Sequence, residues 1–152
     1  MGGGLAAIGE LYSVAQERKK EAELLFVGEQ YRNAIKSYYE KSPGGAKRYP
    51  QKLEDLLQDS RYPTAQRYLR RVYADPMTGS AWGLMEGPGG GIMGVYSLSS
   101  NPPRKTSGFS LANQSFEDAR EYSEWKFFYA ARSAPAAAPG PSASPSGLAP
   151  PR

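Results

Sequence analysis

The sequence predicts an α+β fold in which one long N-terminal helix packs on a small antiparallel sheet of about three strands. Three observations predict it. Between Leu5 and Tyr39 there is no proline, only Gly9 and Gly28 interrupt a run rich in Ala, Leu, Glu, Lys, Arg and Gln, and such a run is helical. Two apolar runs, 81–85 and 92–98, flank the sequence Gly87-Pro88-Gly89-Gly90-Gly91, as the arms of a β-hairpin flank a loop. Trp125-Lys126-Phe127-Phe128-Tyr129 has the aromatic composition of a further strand.

The helix is expected over residues 5–41, roughly 50 Å of rod at about 1.5 Å per residue. It stops at Ser42-Pro43-Gly44-Gly45, where proline cannot continue and glycine accepts left-handed angles. Its two halves carry different faces. In the second half Leu24, Val27, Tyr31, Ala34, Ile35, Tyr38 and Tyr39 form one stripe, with Arg32, Asn33, Lys36 and Glu40 facing away. In the first half Leu5, Ile8, Leu11, Tyr12 and Ala15 point to nearly the opposite side, so this half is not expected to join the same core. An apolar face unused internally implies an oligomer, a truncation or a frayed terminal turn.

Residues 52–57 read as a short amphipathic turn or helix, and residues 64–72 as a second one with Tyr68, Leu69 and Val72 inward. Asp75-Pro76-Met77-Thr78-Gly79 is a turn: Asp75 folds onto its own backbone, Pro76 sets φ, and Thr78-Gly79 ends it. The hairpin follows. Residues 99–115 are expected as a loop with Phe109 anchored, and residues 116–122 as a helical turn. In the last strand Trp125, Phe127 and Tyr129 share one side by alternation. The expected core comprises Leu24, Tyr31, Ile35, Tyr38, Trp82, Val95, Trp125 and Phe127. Both tryptophans belong there rather than on a ligand-stacking platform. One folded unit is assigned to residues 1–132. Residues 133–152, SAPAAAPGPSASPSGLAPPR, cannot bury enough apolar surface to offset the entropy of ordering them, and are expected as a disordered tail.

Composition restricts the chemistry. The 152 residues contain no cysteine and no histidine, which removes thiol nucleophiles, disulfides, Cys/His zinc sites and imidazole acid-base catalysis. The compartment stays open, because a chain without disulfides tolerates either redox environment. A net charge of +4 raises nucleic acid as a partner. Yet Arg18-Lys19-Lys20 is followed at once by Glu21 and Glu23, and Arg67, Arg70 and Arg71 sit in no recognisable nucleic-acid signature, so solvated faces are the better reading. The glycine run 87–91 lacks the Gly-Lys-Ser/Thr ending of a phosphate cradle. Glu54-Asp55 falls on an exposed face with no partner to perturb it. No catalytic, cofactor-binding or metal-binding residue is assigned, and neither nucleic acid nor a small-molecule substrate is expected as a partner. No stretch approaches the roughly 18–20 apolar residues needed to span a bilayer, so the polypeptide as given is expected to be soluble.

Three stretches resemble the pseudopilins of type II secretion, and more broadly the type IV pilin-like proteins. They are EAELLFVGEQYRNAIKSYYEKSPGGAKRYPQKLEDLLQD (21–59), YLRRVYADPMTGSAWGLM (68–85) and GIMGVYSLSS (91–100). The second is the most specific, running from a "YL-R" segment through a "DP-TG" turn into a Trp-bearing first strand. The resemblance implies a pilin-like fold and a non-catalytic filament subunit, made with a basic leader, cut by a prepilin peptidase and held in the inner membrane with its head in the periplasm. Its implied partners are other pseudopilins and secretion-system components. Leu5, Ile8, Leu11 and Tyr12 are then the helix-to-helix contact residues. Met1-GGG reads as an expression start placed inside the helix, with the leader and most of the spanning segment upstream. Major pseudopilins bind calcium in an acidic loop after the strands. Here 99–105 reads Ser-Ser-Asn-Pro-Pro-Arg-Lys with no carboxylate, and Glu117, Asp118, Glu121 and Glu124 are spaced as a solvated turn, so no calcium is expected at that loop. Two alternatives stand beside this reading: a pilin-like subunit for adhesion, motility or DNA uptake, and a basic nucleic-acid-binding protein.

Overall fold

The computed structural model describes the backbone of residues 3–131 and the side chains of residues 12–131. Helix α1 spans Gly3–Glu40 without a break, as a proline-free run of good helix formers should. It ends in a turn at Ser42, and Gly44 takes a φ of 77° that glycine adopts without steric cost. From Leu24 onward the expected stripe is buried: Leu24, Val27, Tyr31, Ala34, Ile35 and Tyr38 all lie in the core, while Tyr39 packs at its margin.

Strands β1 (Gly83–Glu86) and β2 (Ile92–Tyr96) form the hairpin, and β3 (Phe127–Phe128) pairs with the other side of β2, giving an antiparallel sheet of order β1-β2-β3. The α+β arrangement predicted from sequence is therefore the one observed. The register sets Leu84 opposite Val95 and Val95 opposite Phe127, so these three share a face. Helix α1 packs over β2 and β3. Val95 and Phe127 are fully buried as a result, and Leu84 on β1 stays 49% exposed.

Gly28 makes the closest part of this contact. A Cβ built there would lie 2.5 Å from three carbons of the Phe127 ring, so the missing side chain is what lets the ring rest on the helix backbone. Behind Phe127 the aromatic core continues. The Phe116 ring stacks on Trp125 at 5.3 Å, and Phe109 and Tyr122 meet Trp125 edge-on at 5.4 and 5.1 Å, the offset and T-shaped geometries that ring quadrupoles favour. All eight residues expected in the core are buried, Trp82 and Tyr38 being the least so at 6% and 7% exposure.

Four local expectations need correction. Residues 64–72 form no helix; Leu69 is buried, but Val72 is 38% exposed. A helix of that length is marginal in isolation, and here the backbone has better partners, because the amides of Tyr68 and Leu69 both donate to the Leu56 carbonyl. The helical turn expected at 116–122 is displaced into two 3₁₀ helices, Leu111–Asp118 and Tyr122–Glu124. The last strand is only two residues long, since the Trp125 amide donates to the Tyr122 carbonyl instead of to a ladder. Its alternation survives: Trp125 and Phe127 are buried, and Phe128 is exposed. Finally, Arg32 does not face away. Its guanidinium donates from Nε to the Phe128 carbonyl at 3.2 Å and lies 5.5 Å above the Phe127 ring, tying α1 to β3. A helix-wheel rule places Arg32 correctly in angle and misses that a third element wraps that side. The short turn or helix expected over 52–57 is a 3₁₀ helix, Leu53–Leu56, and the Asp55 carboxylate accepts the Gln51 and Lys52 amides before it. The expected tail, 133–152, lies outside the described residues.

Candidate assembly surface

Along α1 the exposed aromatic positions are Tyr12 and Phe26, 67% and 60% exposed. Fourteen positions separate them, close to four turns at about 3.6 residues each, so they lie on one stripe, well round the rod from Leu24 and Tyr31. Tyr12 accepts a 2.8 Å hydrogen bond from Gln16 Nε2 and packs into no core. Leu5, Ile8 and Leu11, the other expected contact residues, have side chains outside the described residues. Phe26 belongs to the same stripe and was not among the expected residues, although its spacing from Tyr12 is legible in the sequence.

The rod leaves the head at a fixed angle because two acids of α1 hold a loop. Glu21 is 6% exposed, and its Oε2 accepts three donors: the Arg104 amide at 2.9 Å, the Lys105 amide at 3.0 Å and the Tyr122 hydroxyl at 2.8 Å. One turn earlier, Glu17 pairs with Arg104 Nε at 2.6 Å. Burial, reinforced by the adjacent Glu21 carboxylate, pushes the Tyr122 phenol well above its ordinary range, so it stays a donor.

At the other end, Arg61 caps α1. Its guanidinium donates to the Tyr38 carbonyl at 2.9 Å and to Ser42 Oγ at 2.8 Å, and stands 3.7 Å above the Tyr38 ring. A cation there meets the orphan carbonyls and the negative end of the helix dipole. Asp59, 1% exposed, holds the guanidinium with two 2.7 Å bonds and accepts the Tyr68 hydroxyl at 2.9 Å. The Arg61 hydrogen bonds keep the Asp59 carboxyl below its usual range. Tyr68 is pushed up to about 12, first by burial and then by the Asp59 carboxylate.

The predicted turn is where expected, with more built into it. Asp75 is fully buried; its Oδ1 accepts the Met77 amide at 2.9 Å, as the sequence implied. Its Oδ2 also accepts the Thr78 hydroxyl at 3.1 Å, the Ser97 hydroxyl at 2.8 Å and the Leu98 amide at 3.0 Å. The turn is thereby tied to the end of β2, which is why the strand stops at Tyr96. Pro76 is partly buried, Thr78 is exposed and Gly79 takes a φ of 77°.

The buried carboxylates Asp59 and Asp75 spend both oxygens on internal donors, and Glu21 spends its Oε2 on three. Among the described residues no group of three or more Asp or Glu is placed to hold a metal ion. No helix among them is long and apolar enough to cross a membrane. What the geometry presents is a braced rod on which Tyr12 and Phe26 stand exposed. Comparison with protein-family models, with curated proteins and with solved structures finds no match. A long N-terminal helix packed on a small three-stranded antiparallel sheet is an arrangement compatible with a pilin-like fold.

Proposed function

We propose that this chain is the head and distal rod of a type II secretion pseudopilin, a non-enzymatic subunit that works by assembling into a periplasmic filament. In this reading the native subunit is anchored in the inner membrane ahead of the rod, and its partners are other pseudopilins and secretion components. The observation that carries it is the division of α1. Its core stripe begins at Leu24, while the earlier Tyr12 remains 67% exposed on another face. Exposed aromatic area on a rigid rod is a ready helix-packing surface, since about 25 cal/mol is gained per Å² of apolar area removed from water. The motif order from 21 to 100 supports the secretion assignment, and the braces at Glu21 and Arg61 support a rod that bears load.

The test is made in the host that encodes the chain. Tyr12→Glu and Phe26→Glu in the full-length native gene should abolish filament formation and export of the secreted proteins, with the subunit still present in the membrane fraction. Normal export by a stable double variant would end the proposal.

A further inference from the structure

Beside β1 the helix gives no cover, and a groove of about 450 Å³ opens there, walled by Leu53, Val72, Tyr73, Trp82, Leu84 and Ile92. Its walls are mostly apolar. Leu84 and Val72 are 49% and 38% exposed at its mouth, and Trp82 spends its indole N–H on the Tyr73 carbonyl at 2.7 Å, so the ring offers only its hydrocarbon surface. An aromatic-walled groove of this kind suits a segment that brings apolar rings and asks for few backbone hydrogen bonds, as a polyproline-type segment does.

The chain supplies such a segment, and supplies it nearby. The described fold ends at Ala131, whose amide donates to Tyr49 Oη at 3.4 Å; the same hydroxyl donates to the Tyr129 carbonyl at 2.8 Å. Tyr49 leads directly through Pro50, whose carbonyl accepts the Ile92 amide at 2.7 Å, to Gln51 and Leu53 at the groove. The chain thus leaves the head from the end of the sheet where Ile92 enters the groove wall. Beyond it lie residues 132–152, with Pro135, Pro139, Pro141, Pro145, Pro150 and Pro151 and one large apolar side chain, Leu148. At about 3.1 Å per residue in polyproline geometry, these residues reach roughly 65 Å, several times the width of the site. Tethering raises the effective concentration to about the millimolar range, so weak contacts suffice.

We infer that the Pro/Ala-rich segment 133–152 docks in the groove between β1 and the Leu53 and Val72 connectors of its own chain. The segment covers Leu84 and Val72 and closes the side of the sheet that α1 leaves open. This inference stands independently of the secretion reading.

Because the chain has no cysteine, a nitroxide can be placed at one site, through Ser144→Cys, in the full-length ¹⁵N-labelled protein. The amide signals of Val72, Ala74, Ala81 and Leu84 should lose most of their intensity, while those around Leu111 keep theirs. Leu84→Glu, at an already exposed position, should restore the groove signals and leave the remaining spectrum unchanged. Even broadening over the surface, or broadening centred elsewhere, would overturn the inference. So would broadening that appears only when nitroxide-bearing unlabelled protein is mixed with ¹⁵N protein lacking the nitroxide, since a second copy would then be the occupant.

Discussion

Gly28 shows how a single absent side chain can set the distance between two elements. Elsewhere in a helix, glycine to alanine gains about 1 kcal/mol of propensity. Here the new methyl would stand 2.5 Å from the Phe127 ring, which is itself fully buried and backed by Phe116 at 5.2 Å. Neither ring can retreat, so overpacking outweighs propensity. Gly28→Ala should destabilise the protein by about 1–3 kcal/mol, read as a lower urea midpoint. Asp75 makes the complementary point about a side chain that is present. Asp75→Asn keeps the shape but replaces an acceptor with an amide donor, facing the Ser97 hydroxyl and the Leu98 amide or the Met77 amide. A loss of about 1–3 kcal/mol is expected in the same denaturation measurement.

At the scale of the element, α1 depends on its ends. Arg61 satisfies helix carbonyls and the buried Asp59 together, so Arg61→Ala removes a cap and strands a carboxylate. The expected cost is about 2–4 kcal/mol by thermal unfolding followed by helix circular dichroism. Arg61→Lys should recover little of it, because an ammonium cannot reproduce the two parallel bonds to Asp59 or the stacking on Tyr38. Asp59 also fixes the sign of the acid response. Its folded-state carboxyl is lowered, so its contribution is present above the ordinary carboxylate range and is lost as pH falls through the lowered value. The elements themselves were legible from residue pattern where one face alone decided burial, as in α1 and the hairpin. They were not legible at 64–72. There the pattern resembled a short helix, and a distant carbonyl on Leu56 took the amides instead.

For the whole molecule, phenols link the layers, and they give the fold an alkaline limit. Tyr31 is pushed up to about 12, chiefly by burial, and Tyr129 to about 12, chiefly by its 2.5 Å hydrogen bond to Glu40. Each folded value exceeds the ordinary 10.0. The folded chain therefore holds protons that the unfolded chain releases; this stability is complete below about pH 10 and drains away towards pH 12. The melting temperature should fall across that window, and Tyr129→Phe should make the fall shallower. A flat profile in the wild-type chain would contradict the assignment. Tyr12→Glu belongs to this scale too. Tyr12 packs into no core, so the substitution should change stability by less than about 0.5 kcal/mol, measured by urea denaturation.

The sequence by itself determined that a rod would lie on a small antiparallel sheet, which of its faces from Leu24 onward would be buried, and where the Asp75 turn would fall. Those follow from periodicity and from residues whose own backbone preferences decide the outcome. Only the tertiary structure decided that Arg32 grips β3, that Glu21 holds the 104–105 amides, that Arg61 reaches back nineteen residues to Ser42 to cap the helix, and that Leu84 is left uncovered. Each of these joins groups far apart in the chain. Which distant donor reaches a buried acceptor is set by how the layers stack, and no local pattern records that.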